Sequence, residues 1–260
     1  MSLAKTSMAF ILLGATALTP LVGATHPPLP QTPAVSAAPT NSSKTAGPEV
    51  AFKMLPLHPP EHGPDRAKTV AIFLTGDGGW ASFDQKVCAA LTSAGVPATG
   101  FDTGAYFSEM RDPTIASQAL AGAIETVKDR WSADHVIIVG YSFGADVAPF
   151  LVNRLPPDLK SSIDRVALMS PSAEAPFQVT LTERVGLDAP GARPVIPELK
   201  TLNDAGARIA CLYGERDHDA VCPSLTLASM KKVEMRGGHG LADDHQAVAN
   251  AILQAWPVER

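Results

Sequence analysis

A chain of 260 residues with 45% hydrophobic and 18% charged residues is long enough to bury one sizeable core and carry a tail. Its 21 basic residues against 26 acidic ones leave a net charge of -5. That balance speaks against nucleic acid as a partner and against a polybasic membrane anchor.

Residues 1–24 read as a cleaved secretion signal. Lys5 precedes an apolar run from Met8 to Leu18, and Val22-Gly23-Ala24 is a small-residue ending of the kind signal peptidase cuts. An uncleaved N-terminal anchor is the alternative, but the run is short for a membrane span. Residues 25–49 are rich in Pro, Ala, Ser and Thr and hold few large apolar side chains. Such a segment cannot bury enough surface to offset its ordering entropy, and it is expected to be a flexible or polyproline-like linker.

From residue 50 onward, strand-like and helix-like stretches alternate, which predicts one α/β domain over residues 50–260 with a mostly parallel sheet and helices on both faces. Strands are predicted at 50–54 (weakly), 69–74, 96–101, 135–139, 165–169, 208–213 and 232–235. Helices are predicted at 83–93, 113–131, 144–154, 224–229 and 244–256. Asp112-Pro113 supports the second of these, with an acidic N-cap before Pro at the first helical position. Residues 171–200 are Pro-rich and show no clear helix; a loop cap over the site is expected there, with Phe177, Val179 and Leu181 alternating as a short edge strand.

Ligands of open parallel sheets bind beyond the carboxyl ends of the strands, so the residues that follow each strand carry the functional information. After the buried run His135-Val136-Ile137-Ile138-Val139 comes Gly140-Tyr141-Ser142-Phe143-Gly144, and helical spacing resumes at Phe143, Val147, Phe150 and Leu151. This is Gly-x-Ser-x-Gly in the strand-turn-helix setting that gives the motif its meaning. Gly214-Glu215-Arg216-Asp217-His218-Asp219 and Arg236-Gly237-Gly238-His239-Gly240 follow two later strands. Ser, then Asp, then His is the chain order of the α/β-hydrolase fold.

The chemistry requires each residue type. A neutral hydroxyl is a poor nucleophile, so Ser142 needs an imidazole to take its proton, and His239 is assigned that task. The imidazole needs a carboxylate to hold its tautomer; Asp217 is preferred, with Asp219 and Glu215 as alternatives. His245 is the spare histidine, expected on the first turn of the last helix. The oxyanion calls for two backbone N–H donors, one from Phe143 and one from the turn after the first strand, at Asp77 or Gly78. Trp80 is expected to pack beneath the site. Asp217, His218, Asp219, Asp243, Asp244 and His245 match no familiar metal-ligand spacing, and the glycine turn at 76–79 lacks the Gly-Lys-Ser/Thr of a phosphate loop, so neither metal nor cofactor is expected. In an exported chain Cys211 and Cys222 are a candidate bridge closing a short loop, while Cys88 reads as a buried apolar filler.

The segments FLTGDGGW, GYSFGADVAPF, CLYGERDHDAVCP and RGGHG resemble the bacterial virulence protein VirJ/AcvB family, over most of the chain from about residue 50 to 256. The resemblance implies an exported α/β-hydrolase of Gram-negative bacteria, acting in the periplasm as a serine hydrolase that removes the amino acid from aminoacyl-phosphatidylglycerol. It also implies a link, in some members, to type IV secretion, so that secretion-system proteins join the aminoacyl phospholipid as expected partners. Matched by motif, the nucleophile falls on Ser142, the acid on the Asp217 loop and the base on His239; the cysteine pair around that loop also resembles the family's. After Tyr106-Phe107 this chain has Ser108 where the family tends to place Trp, a departure that bears on substrate preference. Longer AcvB-type members carry a further N-terminal domain. Asp77, Asp102, Glu109 and Glu215 are expected to form an acidic rim suited to a cationic aminoacyl group. The rival readings are an esterase or thioesterase on another small acyl substrate, and a non-catalytic secretion accessory factor.

Overall fold

The computed structural model describes Leu55, residues 69–180 and residues 191–255. The expected leader, linker and strand at 50–54 lie outside the described residues, as does Leu181. β1 (Thr69–Leu74) is buried along its whole length. Side chains alternate across a strand, and here Val70, Ile72 and Leu74 enter one apolar cluster while Ala71 and Phe73 enter another. β3 (His135–Tyr141) repeats this division, Val136 and Ile138 against Ile137 and Val139. Strands apolar on both faces are the mark of a sheet covered on both sides.

The other strands of the sheet are β2 (Ala98–Phe101), β4 (Ile163–Met169), β7 (Ile209–Gly214) and β8 (Met230–Met235). All run parallel in the order β2-β1-β3-β4-β7-β8. One face is covered by α3 (Pro113–Trp131), α4 (Phe143–Asn153) and α6 (Val195–Asp204); the other by α1 (Ser82–Ser93) and α7 (His245–Gln254). Leu55 extends the β2 edge: its N–H donates to the Gly100 carbonyl, and its own carbonyl accepts from the Thr99 hydroxyl, each at 3.1 Å. The chain goes from β1 to β2 on one side and then crosses to β3 on the other. The crevice at this reversal, beyond the carboxyl ends of β1 and β3, is where such sheets hold ligands.

Short elements complete the fold: α2 (Thr103–Tyr106), α5 (Pro157–Ser161), and an antiparallel ribbon of β5 (Glu174–Ala175) with β6 (Arg193–Pro194). Arg165, fully buried on β4, donates to the Ile252 and Leu253 carbonyls at 3.1 and 3.0 Å. It thereby satisfies acceptors that the end of α7 leaves without helical partners. Cys211 on β7 is bonded to Cys222. Closing a loop of this size contributes roughly 3 kcal/mol by restricting the unfolded chain. Cys88 is free and buried, and burial pushes its thiol pKa well up, which makes it an inert core side chain.

Three sequence expectations need correction. Residues 224–229 are not a helix: only a 3-10 turn at Cys222–Ser224 forms, and Leu225 is already extended. Leu225 and Leu227 are two apart and make no helical face. Within 171–200 there is a helix, α6, whose Val195, Leu199 and Leu202 are buried at helical spacing; Pro194 and Pro197 are tolerated because they sit at its start. Phe177 and Val179 form no strand. The Phe177 carbonyl accepts from Arg111 N–H at 2.9 Å and Val179 N–H donates to Phe107 O at 2.6 Å, so the alternation is spent on pairing with a loop. The Phe177 ring points into the core, against Phe107 and Phe150.

Candidate active site

β3 ends at Tyr141 and α4 begins at Phe143, so Ser142 alone makes the corner. It does so at φ 52° and ψ -122°, a conformation that costs a residue with a side chain roughly 1–3 kcal/mol. Three bonds hold it there. Ser142 N–H donates to Met169 O at 3.0 Å, and its carbonyl accepts from Ala145 N–H (2.8 Å) and Asp146 N–H (3.0 Å). The flanking glycines are explained by contact: a Cβ on Gly140 would lie 2.6 Å from Gly144 O, and one on Gly144 would overlap the Leu74 carbonyl of β1. Gly144→Ala is therefore expected to lower stability by about 3 kcal/mol or more, through backbone displacement at the corner. Urea unfolding measures this, and an unchanged midpoint would mean that β1 and α4 can separate freely.

His239, on the loop after β8, reaches back over the corner: Nε2 lies 2.8 Å from Ser142 Oγ. Its Nδ1 lies 3.3 Å from Asp217 Oδ2. That is longer than a tight charge-assisted bond, as is common before substrate arrives. The Asp217 side chain is 3% exposed against 47% for His239. Of the three candidate acids, Asp217 is the one buried against the imidazole. Asp219 is exposed. The Glu215 carboxylate accepts from Gly237 N–H at 3.4 Å and so ties the two loops together. Backbone bonds from Glu215 N–H to Met235 O (2.8 Å) and from Arg216 N–H to Gly237 O (2.9 Å) prolong the β7–β8 pairing into these loops. His245 opens α7, behind the Asp244 N-cap.

Ser170 completes the support and was not singled out from the sequence. Buried at the end of β4, at φ 52°, its hydroxyl donates to the His239 carbonyl at 3.0 Å. Its position just after a strand was the available signal, but a lone serine before a proline has no motif around it.

The turn after β1 lies beside Ser142; a Cβ on Gly76 would stand 3.6 Å from Ser142 Cβ. It is held by Gly79 N–H to Gly76 O (3.1 Å) and by Thr103 N–H to Thr75 Oγ1 (3.0 Å). Asp77 and Gly78 are on this turn. Phe143 N–H opens α4, where the first N–H groups have no acceptor within the helix. Trp80 packs as expected, edge-on to Phe73. Of the acids expected at the rim, Asp102 caps α2 (2.9 Å to Ala105 N–H), Glu109 pairs with Arg111 (3.2 Å), and Glu215 has the loop-tying role above.

Two carboxyls near the site are shifted by burial. Asp146, inside α4, accepts from Ser172 N–H at 2.6 Å, and burial pushes its pKa up to about 7. Burial likewise raises Asp84 to about 6, against the lowering effect of the Ala81 N–H. A carboxyl raised in the folded state above 3.8 favours folding below that value, and the contribution is lost as pH rises through the folded pKa. Stability should therefore decline between about pH 4 and pH 7, and Asp146→Asn should flatten the decline. Urea midpoints across that range test this; parallel curves for parent and variant would refute it.

The chain is similar to the structure of Est1E from Butyrivibrio proteoclasticus with ferulic acid bound, at 16% identity and TM-score 0.54, covering 77% of this chain and 93% of that one. It is similar to a putative non-heme bromoperoxidase from Mycobacterium tuberculosis, at 15% identity and TM-score 0.53, over 75% and 94%. An esterase domain from a Rhodothermus marinus protein matches at 14% identity and TM-score 0.51, over 78% and 90%. These likenesses show the α/β-hydrolase fold. No curated protein matches the sequence. Residues 68–259 match the family model described as bacterial virulence protein (VirJ).

Proposed function

The chain belongs to the bacterial virulence protein VirJ family, and on that premise we propose that it is a periplasmic serine hydrolase that cleaves the aminoacyl ester of aminoacyl-phosphatidylglycerol. The observation that carries the reaction type is the bridging position of His239, 2.8 Å from Ser142 Oγ and 3.3 Å from Asp217 Oδ2. One imidazole is thereby set between a hydroxyl it can deprotonate and a buried carboxylate that stabilises the resulting cation.

Ser142 Oγ attacks the ester carbonyl carbon as His239 Nε2 takes the hydroxyl proton. The carbonyl oxygen becomes an oxyanion facing the amides of Phe143 and the 75–79 turn, Asp77 or Gly78. As the intermediate collapses, His239 gives that proton to the departing glycerol oxygen, leaving an aminoacyl-Ser142 ester and free phosphatidylglycerol. Water, deprotonated by His239, attacks this ester; Ser142 Oγ leaves, regains its proton, and the amino acid is released. The lipid substrate and export to the periplasm rest on the family resemblance and on the leader-like residues 1–24.

The test is incubation of the mature protein with lysyl-, alanyl- and unmodified phosphatidylglycerol, measuring free amino acid and free fatty acid separately. Amino acid release is the expected result. Fatty acid release instead would make the protein a lipase, and neither product would remove the aminoacyl lipid from consideration and leave another ester or an accessory role in secretion.

A further inference from the structure

A cavity of about 380 Å³ is lined by chain neighbours of Ser142 and His239, among them Tyr141, Gly238 and Gly240, together with Phe83, Arg216 and Asp243. Gly238 and Gly240 flank His239, and Arg216 immediately precedes Asp217, so the cavity lies on the histidine side of the nucleophile. In acyl transfer that side has a defined occupant. His239 must protonate the leaving oxygen, so the alcohol portion of the ester lies against it while the acyl oxygen faces the amides on the other side.

The walls carry charge. Arg216 is exposed, and among the described residues its guanidinium has no hydrogen bond or ion pair. Asp243 is brought to the cavity by an unusual backbone: Leu241, Ala242 and Asp243 all have left-handed φ, at 51°, 54° and 56°. Each such residue is disfavoured in a free chain, and backbone of this kind persists where the surrounding structure holds it, most often at functional sites. It is held here by the buried Leu241 side chain and by Leu241 N–H to Gly238 O and Asp243 N–H to Gly240 O, both 2.9 Å. One free cation and one carboxylate therefore line the same cavity.

We infer that this cavity is the leaving-group subsite and that Arg216 recognises a phosphodiester on the departing alcohol, with Asp243 biasing the site toward that monoanion and against a dianionic phosphate monoester. A guanidinium offers two parallel donors that match phosphate oxygens. The identification of the alcohol as a phosphoglycerol rests on the aminoacyl-phosphatidylglycerol reading above; the assignment of the side and of Arg216 follows from the geometry around His239.

The experiment uses a soluble matched pair, the acetyl esters of glycerol and of glycerophosphate methyl diester, with lysyl-phosphatidylglycerol as a third substrate. The parent protein is expected to prefer the diester-bearing ester by kcat/KM, and less so as salt is raised. Arg216→Gln is expected to lower that preference by about 10- to 100-fold, the usual worth of a hydrogen bond to a charged group. Arg216→Lys should keep part of it, since it retains the charge and loses the fork. An unchanged preference in Arg216→Gln, or no preference in the parent, overturns the assignment. Preference on the acetyl pair without lysine release from the lipid would sink the aminoacyl reading and leave Arg216 in place. Lysine release with an unchanged ratio would do the reverse, and cleavage of none of the three would remove both.

Discussion

Ser142→Ala is expected to lower ester hydrolysis by about 10⁴- to 10⁶-fold while the protein still folds. In the proposed mechanism the loss is large because the Ser142 hydroxyl, 2.8 Å from His239 Nε2, is the attacking group that the imidazole deprotonates. What activity remains would come from water activated by the same imidazole, with the Phe143 amide still in place. The substitution removes one oxygen from a half-buried corner and leaves the bonds to Met169, Ala145 and Asp146, all made by the backbone, untouched. Steady-state assays on a chromogenic ester and on aminoacyl-phosphatidylglycerol, read beside circular dichroism, check both halves of the statement. Retained turnover in a folded variant would place the nucleophile elsewhere.

Asp217→Asn should cost about 10⁴-fold in kcat, with little change in fold. An amide at this position presents an N–H to His239 Nδ1, and the ring answers by moving its own proton to Nε2. The nitrogen that faces Ser142 is then a donor and cannot accept the hydroxyl proton. Asp219→Asn should leave kcat unchanged, since Asp219 is exposed and the carboxylate set against the imidazole is that of Asp217. The two variants differ by two positions in the chain and by about four orders of magnitude in expected effect. Equal losses in both would show that the acid loop rearranges on substrate binding and that the 3.3 Å approach of Asp217 does not describe the working state.

The central strands were legible because their chemistry is local. An unbroken β-branched run such as Val136 to Val139 is already the signature of a strand buried on both faces, and β3 forms there. The strand-to-helix corner at Ser142 was legible for a similar reason: the change from strand to helical spacing occurs within five residues around it. α6 was hidden because prolines at 194 and 197 read as loop, although Val195, Leu199 and Leu202 carry the helical spacing. The helix expected at 224–229 failed the other way, since Cys222 is tied to β7 by the disulfide and the apolar spacing that follows is two.

The α/β class, the candidate nucleophile, the candidate base and the neighbourhood of the candidate acid could be read from the sequence, because each rests on residue types within a short window of chain. Tertiary structure decided what depends on contacts between distant segments. Asp217 and Asp219 are the same residue type two positions apart, so the sequence prefers one without excluding the other, and burial beside His239 is what sets Asp217 apart. Ser170 reaches the His239 carbonyl across 69 residues, and Arg216 acquires meaning only when β7 and β8 lie side by side and bring its loop against the glycines around His239. Local pattern sets which groups a chain can offer; the packing of the sheet sets which of them meet.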